Sequence, residues 1–256
     1  MQVAAIYDIH GNLPALEAVL QEIHDEAVDS IVVGGDVVAG PLPSETLALL
    51  RSLSIPTHFI HGNAEAELIR YLAGQPPGGL SERADEEARW VAQVLSPADK
   101  QFVASWSSTV ELEIDGWGNV LFCHATPTSN ITVFTRMTPE EKLLHIFENL
   151  TASLVVCGHT HMPFDRTIGG VHVVNAGSVG LPFGRTGADW LLIDKDLEFR
   201  HTDYNTAEAA ERIRQSHYPQ AEDFATNNVL QAPSEAEAMQ MLAWLERQQA
   251  ESQVGL

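Results

Sequence analysis

Five short motifs hold residues that together could bind a metal: Asp8-Ile9-His10, Gly35-Asp36, Gly62-Asn63-Ala64-Glu65, Cys123-His124 and Gly158-His159-Thr160-His161. Singly they say little. A lone histidine is more often structural than a ligand, and Gly35-Asp36 or Gly62-Asn63 alone would suit a turn. Together they supply seven oxygen and nitrogen donors, namely Asp8, His10, Asp36, Asn63, His124, His159 and His161. That is enough for two metal ions around one shared carboxylate. Carboxylates, imidazoles and one amide oxygen suit Mn, Fe, Zn or a similar ion, and the lack of thiolate argues against a closed structural zinc site.

Elements that deliver such residues to one place are legible around them. Residues 3–7, 30–33, 56–60 and 153–157 are apolar runs that read as short buried strands, each ending just before a motif. Between them, Asn12 opens a helix with Leu13, Leu16, Leu20 and Ile23 at helical spacing, and residues 44–53 are helical again. This β-α-β-α-β order predicts parallel pairing with right-handed crossovers, and open α/β sheets bind ligands beyond the carboxyl ends of their strands. Residues 65–108 break the rhythm and read as a helical excursion over part of the site. Residues 110–114 and 119–123 read as a hairpin, residues 139–149 as a helix, and 164–168 with 171–175 as a second pair. Residues 190–193 and 197–201 add further strands. The fold class is therefore α/β, with two stacked sheets and helices outside. From residue 205 the chain turns acidic and helical. Ser234 and Glu237 make a capping box there, with Ala238, Met241, Leu242 and Leu245 as the apolar face.

The whole chain has 256 residues, 45% of them apolar, which allows a sizeable core. Against 35 Asp and Glu stand 14 Lys and Arg, a net charge of −21. Such a field repels nucleic-acid backbones and anionic membranes, so a nucleic-acid coat role is excluded. A small phosphate ester remains acceptable where bound cations reverse the sign locally. Cys123 and Cys157 sit in apolar runs and read as buried structural thiols. No basic leader, cleavage site or long apolar stretch is legible, so a cytoplasmic setting without a membrane partner is expected.

The order and spacing of the motifs resemble those of the calcineurin-like metallophosphoesterases, most closely the small prokaryotic branch that includes phosphodiesterases. The resemblance runs from about residue 2 to about residue 203 and includes Asn175-Ala176-Gly177-Ser178-Val179-Gly180. It implies a four-layer αββα sandwich of two mixed sheets over residues 1–204, leaving 205–256 as an acidic helical extension that could serve a homo-oligomer. It implies two divalent or trivalent ions, one held by Asp8, His10, Asp36 and His161, the other by Asp36, Asn63, His124 and His159. Asp36 would bridge them. Two such cations clamp a phosphoryl oxygen and lower the pKa of a bridging water, whose hydroxide attacks phosphorus in line. Asp36, Asn63 and His124 would then be the catalytic centre, with Asn63 and Arg185 as substrate contacts.

One position departs from the family pattern. Relatives carry Gly-Asn-His followed by Asp or Glu, and their histidine helps protonate the leaving oxygen. This chain has Ala64 there. General acid catalysis contributes about 10²–10⁴-fold, so alkyl monoesters should suffer most. The expected activity is phosphodiester hydrolysis of a small substrate without the usual acid. The alternatives are a phosphomonoesterase or protein phosphatase, or a catalytically weak binding module of the kind the retromer subunit on this fold exemplifies. Glu65, with no imidazole to orient, reads as a solvated residue at a helix start. His61 is a candidate substitute acid, and Arg136 a second loop cation.

Overall fold

The computed structural model describes residues 1–78 and 81–254. Its first sheet holds β1 (Val3–Ile6), β2 (Ser30–Val33) and β3 (Thr57–Phe59) in parallel. Two late strands, β9 (Ala188–Ile193) and β10 (Leu197–Thr202), extend it antiparallel beside β1, giving the order β10-β9-β1-β2-β3. The second sheet runs β4-β5-β6-β8-β7. Here β5 (Gly118–Cys123), β6 (Leu154–Cys157) and β8 (Val171–Asn175) are parallel, while β4 (Thr109–Ile114) and β7 (Phe164–Ile168) close the two edges antiparallel. Each mixed sheet thus has a parallel trio, at one side of the first sheet, where β3 is the edge, and in the centre of the second.

The two-residue period of the strands divides the core. Ala4 and Ile6 of β1, with Ile31 and Val33 of β2, face Leu16, Val19 and Ile23 of α1 (Leu13–Glu26). Val3, Ala5, Tyr7 and Val32 face the other way, onto Val120, Phe122, Leu154 and Val156 of the second sheet. Leu121, Cys123, Val155 and Cys157 point to the far side and meet Leu143 and Phe147. Alternate side chains of fully buried strands therefore belong to different interfaces, which builds the αββα layering. Both cysteines are free and buried, as their apolar surroundings predict.

The remaining helices are α2 (Pro43–Arg51), α3 (Asn63–Leu72), α4 (Glu82–Val94), α5 (Pro97–Ala104), the single turn α6 (Leu144–Phe147), α7 (Thr206–Arg214), α8 (Ala221–Phe224) and α9 (Glu235–Val254). Three of them, α3 to α5, make up the excursion. The helix expected over 139–149 is broken into a 3₁₀ turn, Glu140–Lys142, and α6. Leu143 lies between the two and sinks into the outer core with Phe147, so burial of this pair decides the local path rather than a continuous helix. In α9 the Ser234–Glu237 capping box forms as expected. The buried face is Ala238, Met239, Leu242 and Leu245, against Val133, Met162 and Phe183. Met241 is 46% exposed and is not part of it. Among the described residues no helix is long and apolar enough to cross a membrane.

Candidate metal centre

Five of the six parallel strands end at the same place. β1 delivers Asp8 and His10, β2 Asp36, β3 Asn63, β5 His124 and β6 both His159 and His161. Their loops are tied by backbone hydrogen bonds, among them Asp8 N to Gly35 O at 3.1 Å, His10 N to Asp36 O at 2.8 Å and Gly158 N to His124 O at 2.8 Å. Five of the donors have left-handed backbones: Asp8, His10, Asp36, His159 and His161 lie at φ between 49° and 67°. The one other non-glycine residue so placed among those described, Ala27, ends a helix. An L side chain at such a φ carries about 1–3 kcal/mol of strain, which surrounding structure must hold in place. The loops also pack too tightly for side chains. A Cβ on Gly62 would lie 2.1 Å from Oδ1 of Asp36.

The donors form two groups, Asp8 with His10 and His161, and Asp36 with His124 and His159. Asp36 faces both. Its Oδ2 lies 3.8 Å from Nε2 of His10 and its Oδ1 3.6 Å from Nε2 of His124. Three rings have their tautomer set by the backbone: Nδ1 of His10, His124 and His161 donates to the carbonyls of Ala39, Gly34 and Leu181 at 2.9, 2.8 and 3.0 Å. Each Nε2 is thereby left as a lone pair pointing inward, the usual orientation of an imidazole ligand.

Several contacts suit bound cations. Nε2 of His10 and His161 face each other at 3.3 Å. Oδ1 of Asp8 is buried with no hydrogen-bond donor, while its Oδ2 accepts from His159 N at 2.8 Å. One terminal atom of the Asn63 amide lies 2.9 Å from Nδ1 of His159, 3.1 Å from Nε2 of His124 and 3.3 Å from Oδ2 of Asp36. Placed as nitrogen it would donate to these acceptors. Placed as oxygen it completes a ring of lone pairs that a cation satisfies, and the donor set fits divalent ions of the Mn, Fe or Zn kind. Burial and the neighbouring His124 lower the pKa of His159 to about 4, and burial with His161 also lowers that of His10. Burial lowers that of His124 too, but Asp36 and Asp8 outweigh it and raise the net value.

Glu65 is not solvated. It is fully buried, and its carboxylate accepts from the backbone N–H groups of Asp36, Val37, Val38 and Gly62 at 2.8, 2.8, 3.2 and 2.8 Å. From the first turn of α3 it locks the β2 and β3 loops together, and so sets where Asp36 and Asn63 stand. Burial and Asp36 raise its pKa, against the pull of these N–H groups. Three more holders lie outside the sequence-predicted set. Buried Asn12 donates to Gly180 O at 3.0 Å, Asn175 to Gly158 O at 2.5 Å, and Ser178 to Asp8 O at 2.8 Å. Asn175 and Ser178 belong to the 175–180 motif.

Two depressions border the cluster. One, of about 70 Å³, is lined by His10, Asp36, Asn63, Ala64 and residues of α3 and α4. The other, of about 720 Å³, is lined by His124, His61, Arg70, Ser108 and the 126–130 loop. Beyond Asn63 at the helix start, their α3 residues are Ala64, Glu67 and Leu68 for the first, and Ala66, Ile69 and Arg70 for the second. At about 100° per residue these are opposite faces of one helix. Nε2 of His61 sits 2.8 Å from Val103 O. Arg185 lines neither depression. Its guanidinium is 3.2 Å from Asp189 in a separate hollow with Arg136, which itself pairs with Glu235.

Comparison with known proteins agrees with this geometry. The model of the calcineurin-like phosphoesterase superfamily domain matches residues 1–196. An uncharacterized protein of Methanocaldococcus jannaschii is 27% identical over 241 residues, 85% of this chain and 94% of the relative. The phosphodiesterase YfcE of Escherichia coli is 27% identical over 212 residues, 77% of this chain and 89% of the relative. The crystal structure of a metallophosphoesterase from Sphaerobacter thermophilus superposes with a TM-score of 0.70 at 25% identity, covering 93% of this chain and 99% of that one.

Proposed function

The chain belongs to the calcineurin-like phosphoesterase superfamily, and from that premise we propose that it is a two-metal phosphodiesterase acting on a small substrate. The observation that carries this reading is the placement of the donor cluster at the N-terminus of α3, between two depressions on opposite faces of that helix. A phosphodiester has two alcohol halves about one phosphorus, and two depressions suit two halves. The likeness to a named phosphodiesterase supports the same class.

In this reading Asp8, His10 and His161 would hold one ion, Asn63, His124 and His159 the other, with Asp36 shared between them. When bound, two such ions polarise a phosphoryl oxygen and make water acidic enough to supply a nucleophile near neutral pH. The residues of the chain fix the rest. The Ala39, Gly34 and Leu181 carbonyls keep three imidazoles aimed inward. The first N–H groups of α3 and its dipole favour an anion beside Asn63. A phosphate contact from Arg185 would require it to release Asp189. Ala64 offers no proton to the departing oxygen, so esters with good leaving groups and diesters are favoured over alkyl monoesters. Residues 1–204 would then be the catalytic domain, with residues 205–254 bracing its walls.

The test is a comparison of purified, Mn-loaded protein on an aryl phosphodiester and its matching monoester. A clear preference for the diester supports the reading. Equal or reversed preference overturns it, and full activity after exhaustive chelation removes the metals from it.

A further inference from the structure

The smaller depression has a composition that the hydrolytic chemistry does not require. Its walls are apolar where α3 and α4 face each other, at Leu68, Ala88 and Val91. Into this apolar space come two carboxylates, Glu67 and Glu87. Glu67 is 7% exposed and accepts one hydrogen bond from Gly78 N at 2.9 Å, while Arg70 Nε stays 4.0 Å from its other oxygen. Glu87 accepts from the Tyr218 hydroxyl, which reaches it from beyond α7. Burial raises the pKa of Glu87. Carboxylates kept in an apolar pocket are costly unless something there donates to them.

Ala64 lines this space together with His10, Asp36 and Asn63 of the donor cluster. A longer side chain at that position would take up part of it, so the alanine that removes a proton donor also leaves room in the pocket. The volume, about 70 Å³, leaves room only for a compact group. The depression across α3 is different: about ten times the space, at about 720 Å³, with serine and threonine hydroxyls and the Arg70 cation. The two faces of one helix thus present opposite charge preferences to the two sides of one phosphorus.

We infer that the α3–α4 pocket is the specificity site for one alcohol half of an asymmetric phosphodiester, and that Glu67 and Glu87 select a compact alcohol with a cationic or hydrogen-donating head over an anionic one. This rests on the phosphodiesterase reading above. The larger polar half of the substrate lies across α3, against Arg70 and the 126–130 loop.

The test uses the full chain, Mn-loaded, with p-nitrophenyl phosphodiesters whose second alcohol is methyl, 2-aminoethyl or 2-carboxyethyl. The wild type should hydrolyse the aminoethyl ester with kcat/KM about tenfold or more above the carboxyethyl ester, as expected for opposite against like charge at a partly desolvated site. The Glu67→Gln/Glu87→Gln double variant should bring that ratio to within about twofold of one. Ala88→Phe, which fills the pocket, should lower the aminoethyl-to-methyl ratio. Where a variant fails to fold, competitive inhibition of the wild type by 2-aminoethyl methyl phosphate and 2-carboxyethyl methyl phosphate must show the same order. Turnover of all three esters with a flat ratio, or a ratio the double variant leaves unchanged, overturns the pocket assignment alone. No turnover of any diester overturns the phosphodiesterase reading and this assignment with it.

Discussion

The strand-end loops and the helices that wall them are held by different means. Around Asp8, Asp36 and Glu65 the contacts are buried, made to backbone and redundant: one carboxylate takes four N–H groups, and carbonyls fix three imidazoles. Around α4 the polar contacts are made between side chains, some of them exposed, beside the packing of its buried Ala88, Val91 and Ala92. Arg83 pairs with Asp223 at 3.2 Å, with both side chains about half exposed, and Trp90 meets Tyr218 edge-on at 5.1 Å between centroids. Removing one partner of a buried polar set leaves the others unsatisfied, whereas an exposed pair is replaced by water. The loops can therefore fix geometry while the helical wall changes what it admits.

That contrast can be broken at four points. The largest effect is expected at the shared carboxylate: Asp36→Ala should lower kcat on any phosphoester by about 10³-fold or more, since the main electrostatic contribution of such a site is lost. Retained turnover in a chelator-controlled assay would end the two-metal account. Glu65→Ala should come next. It orphans four N–H groups and should destabilise the fold by about 3 kcal/mol in urea titration, with weaker metal uptake by calorimetry, although Glu65 is not itself placed as a ligand. A change under about 1 kcal/mol would mean the loops are held by something else. Ala64→His should raise alkyl monoester hydrolysis by about tenfold, below the full value of a general acid because the histidine enters a pocket not shaped for it. Unchanged monoester rates would detach substrate preference from this position. The smallest effect belongs to the wall: Arg83→Ala should shift stability by less than about 1 kcal/mol. A larger loss would show that α4 is clamped as firmly as the loops.

How much of this could be read from residues alone follows the same division. The seven donors were legible because each follows a short apolar run and a strand end restricts where a side chain can go. The layering was legible for the same reason, since buried strands announce themselves in runs such as Val3–Ile6 and Leu154–Cys157. Glu65 was not. A glutamate in the first turn of a helix looks the same whether it meets water or the N–H groups of a loop 28 residues earlier. The two depressions were hidden too, because both faces of α3 carry mixed residues and only the position of α4 shows which of them encloses space. Met239 and Met241 are chemically alike but stand about 200° apart round the helix, and only the neighbouring Val133 and Met162 show that Met239 is the one that packs.

The left-handed backbones at Asp8, His10, Asp36, His159 and His161 imply a reversal in how this protein should respond to mutation. At most buried positions a change to glycine loosens a fold. At these five it relieves a conformation that L residues resist, so the metal-free protein could melt at a higher temperature after the change while losing all catalysis. A thermal-shift scan beside an activity assay would then single out the reactive centre by the opposite signs of its stability and activity effects.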